Sequence, residues 1–163
     1  MSDNPSGETS ATAPANNHIQ ILDQAFEPSA MYQTMLATDV QHGALVTFTG
    51  MVRDLAAKPV NAMFLEHYPG MTERALEDII AKAHARWALG QVSISHRVGM
   101  LYPGEPIVFI GVTSTHRREA FEACQFLMDF LKMEAPFWKK EFTPDGERWV
   151  AAKSSDCEAA KRW

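Results

Sequence analysis

Between Gly43 and Val52 the chain reads Gly-Ala-Leu-Val-Thr-Phe-Thr-Gly-Met-Val, almost without a charged or amide position. Residues of this kind suit a buried pleated surface, and the run predicts a strand. A polar connector, Arg53 to Pro59, separates it from a second predicted strand, Val60 to Tyr68, which Pro69-Gly70 ends. From Thr72 to Trp87 the spacing changes. Leu76, Ile79, Ile80, Ala83 and Trp87 return every three or four residues, which predicts a helix with Thr72 as N-cap and Gly90 as terminator. Gln91 to Val98 alternates as a half-buried strand, and Tyr102-Pro103-Gly104 marks a turn. Pro106 to Thr113 is a continuous apolar strand, expected to be central. His116 to Met133 is the longest predicted helix, with Phe121, Cys124, Met128 and Leu131 on one face. Phe137 to Phe142 and Arg148 to Ala151 predict a closing hairpin around Pro144-Asp145-Gly146. Upstream, Ile19 to Phe26 suggests a strand, and Ser29 to Thr38 a short helix behind Pro28.

From Gly43 on, the order is therefore strand, strand, helix, strand, strand, helix, strand, strand. That order predicts an α+β fold, with a largely antiparallel sheet and helices packed on one side. Residues 1–17 are mostly Ser, Thr, Ala, Asn, Gly and Pro. Such a segment buries too little surface to offset its ordering entropy, so a disordered extension is expected there, followed by a single domain over 18–163.

Composition narrows the classes. The 163 residues suffice for one domain with a real core, and 46% hydrophobic with 21% charged residues is ordinary for a globular chain. No apolar run approaches a membrane span and no signal pattern opens the chain, so a cytoplasmic protein is expected. The two cysteines, Cys124 and Cys157, form no Cys-x-x-Cys pair, and the six histidines lack metal-ligand spacing. A net charge of -5 argues against broad binding to nucleic acid and makes any local basic cluster more meaningful.

The densest chemistry lies in Phe-Leu-Lys-Met-Glu-Ala-Pro-Phe-Trp-Lys-Lys-Glu, from Phe130 to Glu141. Pro136 stops the helix and biases Ala135 toward extended geometry. Lys132 and Lys139 thus stand at the two ends of a short, stiff, aromatic connector. Lysines beside apolar surface, and beside each other, lose protons more easily. The plainer alternative puts Lys132 in a last helical turn, complementing the dipole, and Lys139 on a solvated strand. Thr115-His116-Arg117-Arg118 opens the long helix, where free N–H groups and cations suit a phosphate, or else form a solvated polar cap. Arg53 follows a strand end, where a side chain can be presented to a site or can be an ordinary exposed arginine. Glu141 could hold a lysine or be one half of a weak surface pair. A structural role is expected for His67.

Several separated stretches resemble one family. Leu131-Lys132 to Ala135-Pro136-Phe137-Trp138-Lys139, Glu66-His67-Tyr68-Pro69-Gly70-Met71, Val46-Thr47-Phe48-Thr49-Gly50, Thr113-Ser114-Thr115-His116-Arg117 and the terminal Ala159-Ala160-Lys161-Arg162-Trp163 are similar to the large, catalytic subunit of molybdopterin synthase. The resemblance covers about Gly43 to Trp163. It implies an α/β-hammerhead-like fold and a sulfurtransferase that turns cyclic pyranopterin monophosphate into the dithiolene pterin. It also implies a sulfur donor, the C-terminal Gly-Gly thiocarboxylate of a small ubiquitin-like partner, with no bound cofactor or metal. By the same resemblance Lys132 is the principal catalytic residue and Lys139 assists. Met51, Val52, Arg53, His116, Arg117, Lys132, Lys139, Lys140 and Glu141 contact substrate. A homodimer is expected at the centre of a heterotetramer. Two rival readings are a noncatalytic adaptor for a ubiquitin-like protein, using Phe137, Trp138 and Trp163, and a single-stranded nucleic-acid binder. The clustered cations disfavour the first and the acidic balance the second.

Overall fold

The computed structural model describes residues 16–54 and 56–163. The expected N-terminal extension lies outside the described residues, apart from Asn16 and Asn17. Along the chain run β1 (His18–Leu22), α1 (Pro28–Thr38), β2 (Ala44–Met51), β3 (Ala62–His67), α2 (Met71–Arg86), β4 (Leu89–Arg97), β5 (Gly99–Leu101), β6 (Pro106–Ser114), α3 (Arg117–Glu134), β7 (Phe137–Thr143), β8 (Gly146–Val150) and α4 (Ser154–Ala160).

The strands form two four-stranded sheets, ordered β1-β4-β6-β2 and β5-β3-β7-β8. Among the described residues only the β1–β4 pairing is parallel. The α+β class and the antiparallel character agree with the sequence pattern, and β6 is central as its apolar run predicts. The division into two sheets was not legible, because β3 and β7 pair across the intervening α2, β4, β6 and α3.

The main core lies between the first sheet and the two long helices. Val92 and Ile94 of β4 and Val108, Ile110 and Val112 of β6 meet Leu76, Ile79, Ile80 and Ala83 of α2 and Cys124, Phe126, Leu127 and Leu131 of α3. Phe121, expected on the inner face of α3, is 64% exposed. The inner stripe is instead set by Ala120, Cys124, Leu127 and Leu131, whose spacing excludes position 121. Trp163 closes this core, edge-on to Trp87 and Phe126 at 5.7 Å each, with its indole N–H donated to Asp129 at 2.8 Å. Much of the ring is thereby committed to the core rather than to the adaptor surface considered above. α4 and β5 were not expected; both are short.

The second face of the first sheet carries α1. Gly111 alternates with the core residues Ile110 and Val112, and Met35 packs onto it with Phe26 and Phe109. Asp39, just past α1, accepts hydrogen bonds from the Thr113 hydroxyl and from His42 Nδ1, the latter at 2.7 Å. Burial alone would raise its pKa, but these bonds, the His42 charge and the Gln91 N–H outweigh burial and hold it at about 2.

Two boundaries differ from the sequence expectation. α2 begins at Met71 with Gly70 as N-cap, at φ 84°, a conformation glycine adopts without the Cβ penalty. Thr72 instead uses its hydroxyl to accept the Tyr68 N–H at 3.2 Å and to donate to the Pro136 carbonyl at 3.3 Å. Gly90 lies inside β4, where an added Cβ would run into Thr113 and the His42 ring; α2 ends at Arg86, with Trp87 as its C-cap.

A Cβ at Gly111 would overlap Met35 Sδ and approach Phe109 at 3.2 Å. Gly111→Ala should therefore cost about 1–3 kcal/mol by overpacking. In denaturant unfolding, the Gly111→Ala, Met35→Ala double variant should cost less than the sum of the single losses.

Candidate functional site

Three anchors fix the connector between α3 and β7. The Ala135 N–H donates to the Leu131 carbonyl at 3.2 Å, which ends the helix. The Pro136 carbonyl accepts from Thr72. The Phe137 ring stacks on His96 of β4, with centroids 3.8 Å apart and planes 13° from parallel. Lys132 enters this turn as the basic residue of the last turn of α3, and Lys139 leaves it on β7.

The β3–β7 register decides which way each β7 side chain points. Lys139 lies opposite Leu65, and Glu141 opposite Met63. Met63 and Leu65 are buried with Val52 and Leu101, so Lys139 and Glu141 share that inner face. Lys140 lies opposite Phe64 and projects to the outer face. There it pairs with Glu147 at 2.9 Å and sits 5.2 Å from the Trp149 ring centroid. The structure thus brings Lys132, Lys139 and Glu141 together and places the Lys140 side chain apart from them.

Glu141 is the hub of this cluster. Arg148 of β8, its cross-strand partner, donates to Oε2 through Nη2 at 2.7 Å and Nε at 3.1 Å. Lys139 Nζ stands 3.6 Å from Oε1. Burial raises the Glu141 pKa, but the Arg148 bond and the charges of Lys139 and Arg148 outweigh it, and the carboxyl is held below its usual range. Lys139 is pushed below the usual lysine range, first by burial. Glu141 opposes that shift, while the charges of Lys132 and Lys153 add to it. Arg148 and Lys153 were missed in the sequence. The hairpin offered a signal for Arg148: a two-residue loop between Thr143 and Gly146 pairs 141 with 148.

The remaining candidates split between the two ends of the first sheet. β2 and β6 are antiparallel, from Ala44 opposite Ser114 to Met51 opposite Pro106. His116 and Arg117 follow Ser114, whereas Arg53 follows Met51. Along one chain the two arginines are therefore separated by roughly the length of β2, about 23 Å. α3 then runs back along the sheet, so Lys132 lies toward the Arg53 end. Val52 is buried, Met51 and Arg53 are exposed, and so are His116, the N-cap of α3, and Arg117. Arg118 is tied to Glu122 at 2.9 Å.

Cys124 is buried, and that burial pushes its thiol up to about 12, so it is no nucleophile. Among the described residues no group of three or more His, Cys, Asp and Glu side chains could hold a metal, and no helix is long and apolar enough to cross a membrane. Glu66, His67, Tyr68, Trp138 and Trp149 line an open groove of about 370 Å³ at the end of β3, with Trp138 and Trp149 on the outer face of the second sheet. Those two rings lie on the opposite face of the sheet from Lys139.

A lysine pair on a pinned helix-to-strand turn, backed by a glutamate and an arginine, forms a compact cluster of charged groups. The chain belongs to the MoaE protein family, whose model matches residues 21–134, and is thereby a molybdopterin synthase catalytic subunit by class, an enzyme of molybdenum cofactor biosynthesis. It is similar to the molybdopterin synthase catalytic subunit of Escherichia coli (strain K12), 54% identical over 91% of this chain and 99% of that one. Among solved structures it is similar to the molybdopterin biosynthesis MoaE protein of Burkholderia ambifaria MC40-6. That match has a TM-score of 0.76 and 51% identity, covering 90% of this chain and 97% of the other. The molybdopterin synthase of Staphylococcus aureus matches at a TM-score of 0.74 and 30% identity, over 81% and 96% of the two chains.

The depressed Glu141 pKa has a consequence for stability. The contribution of its ionised form is complete above the unfolded carboxyl value and is lost as pH falls through the folded one. Urea midpoints measured from neutral pH downward should fall in wild type below about pH 5. In Glu141→Gln that fraction of the pH dependence should be missing, with lower stability at neutral pH because Arg148 and Lys139 lose their carboxylate.

Proposed function

We propose that this chain converts cyclic pyranopterin monophosphate to molybdopterin, with sulfur from the C-terminal thiocarboxylate of a small ubiquitin-like partner, in the cytoplasm. One domain, 18–163, carries the activity. The observation that supports this most directly is the cation cluster. Lys139 and Arg148 flank a single carboxylate, Glu141, and Lys132 and Lys153 lie close enough to Lys139 for their charges to act on it, in a chain of net charge -5. Such a local excess of positive charge suits two anions meeting at one place, a phosphorylated pterin and a thiocarboxylate.

Burial divides the work between the lysines. Lys132, given the principal role by the family resemblance, is exposed at the mouth of the turn and meets the carrier's C-terminal tail. Lys139 is half-buried with a lowered pKa, and so is the amine better suited to give and take a proton as sulfur is transferred. Glu141, locked by Arg148, orients Lys139. The backbone of Lys140 and the Met51-Val52 strand end complete the wall. The cysteines have no part, since the sulfur arrives with the partner.

The separation of Arg53 from Arg117 calls for a second copy. In a homodimer, His116 and Arg117 of one protomer would complete the anion site beside Arg53, Lys132 and Lys139 of the other. Each dimer would then hold two composite sites, with a carrier subunit at each.

Reconstitution with a thiocarboxylated carrier and the cyclic pterin tests the reaction. Wild type should form dithiolene product only when both are present. Lys139→Arg should lower the rate by about 100-fold or more, because arginine keeps the charge but cannot exchange its proton. Product formation at the wild-type rate would reduce Lys139 to an electrostatic anchor.

The composite site makes a separate prediction. Arg53→Ala and Arg117→Ala homodimers should both be weak. Their mixed dimer should regain activity, since it contains one site with both arginines intact. A mixed dimer as weak as its parents would place both arginines in the same protomer's site.

A further inference from the structure

We propose that His96 is a positioning residue for Lys139: its ring fixes Phe137 at the start of β7, and so sets where the lysine two residues on is presented. The proposal rests on the function proposed above only for the importance of Lys139; the geometry is independent of it.

Val92, Ile94 and His96 are successive inward positions of β4. The first two are sealed in the main core with residues of α2 and α3. His96 lies opposite Val108 of β6, is only 5% exposed, and has Phe137 stacked on its face. A leucine would give Phe137 an apolar cover but no defined plane. His96 has one, because Nδ1 donates to the carbonyl of Arg97 at 2.7 Å. A carbonyl can only accept, so the proton sits on Nδ1 and the ring is held in its plane. The plane of His96 then dictates the plane of Phe137.

Phe137 is one point of contact between the two sheets. Its N–H closes a tight turn onto the Ala135 carbonyl at 2.9 Å, and it is the first residue of β7, opposite His67. From there the strand alternation is rigid: Phe137, Lys139 and Glu141 face inward and Trp138 and Lys140 outward. Tilting the Phe137 ring tilts the first residue of that row. The charged groups acting on Lys139 are Glu141, Lys132 and Lys153, all outside β4. His96 thus acts on Lys139 through packing alone. It stays neutral over the working range because burial, reinforced by His67 and opposed by the Arg97 carbonyl, lowers its pKa to about 4.

The test reads Lys139 directly. Wild type and variants are reductively methylated with ¹³C, and each lysine is titrated by NMR, the Lys139 signal being assigned by its loss in Lys139→Arg. In wild type Lys139 should titrate below the other lysines. In His96→Ala it should move up toward them, with circular dichroism unchanged. His96→Phe, which retains the stacked ring, should keep Lys139 low. If His96→Ala does not fold, Phe137→Leu carries the same test, since it keeps the apolar cover and removes only the ring. In reconstituted enzyme the disturbed variants should lose kcat on the order of 100-fold with KM unchanged, the mark of misplacement rather than lost binding. A folded His96→Ala or Phe137→Leu protein whose Lys139 titrates as in wild type would overturn the proposal. Absence of product in wild type would instead count against the proposed reaction and leave the NMR result to decide this one.

Discussion

The turn from α3 into β7 is the constraint on which the rest of this molecule depends. α3 belongs to the first sheet's core and β7 to the second sheet, and only two residues, Ala135 and Pro136, separate them in the sequence. Those residues must end a helix, change direction and start a strand within a few ångströms. Proline removes an N–H that the helix would have needed, the Thr72 hydroxyl satisfies the Pro136 carbonyl, and the His96–Phe137 stack fixes the strand's first side chain. A polar group left unpaired here would cost about 1–3 kcal/mol, so the pinning by α2 and β4 stabilises the fold as well as the site.

Fixing this turn concentrates like charges. Lys132, Lys139 and Lys153 would not gather around partly buried space without compensation, and Glu141 with Arg148 supplies only part of it. Burial first, and then the charges of Lys132 and Lys153 against the opposing pull of Glu141, lower the affinity of Lys139 for its proton, and the same cations attract anions. Both effects come from one arrangement, and both fit transfer of a group between two anionic reactants. The net acidity of the chain confines this attraction to the site.

The long antiparallel pair β2–β6 imposes the opposite condition on the second cluster. Because the strands pair antiparallel along all eight residues of β2, with one register shift between Gly50 and Met51, whatever follows β6 must lie far from whatever follows β2. The arginines that resemble one substrate site are therefore held at two ends of one sheet. In the proposed homodimer a second protomer would reunite them, each lending the start of its α3 to its neighbour's lysines.

How much of this was legible depended on whether the signal was local. The helical stripes of α2 and α3, the buried runs of β2 and β6, and the hairpin of β7 and β8 were all readable, because each is a periodicity of neighbouring residues. So was the Lys132–Lys139 connector, since proline acts on its own backbone. The face of Lys140 was hidden, although strand alternation puts it opposite Lys139 once β7 is known to be a strand. The second sheet, the inward role of Trp163, the pairing of His96 with Phe137 and the separation of Arg53 from Arg117 were decided only by tertiary structure. Each joins residues distant in the chain, through pairing registers and packing whose free energy no local pattern records. The sequence determined which elements form and which residues carry charge. The folded chain decided which of those charges meet, because proximity in space follows strand order and not sequence order.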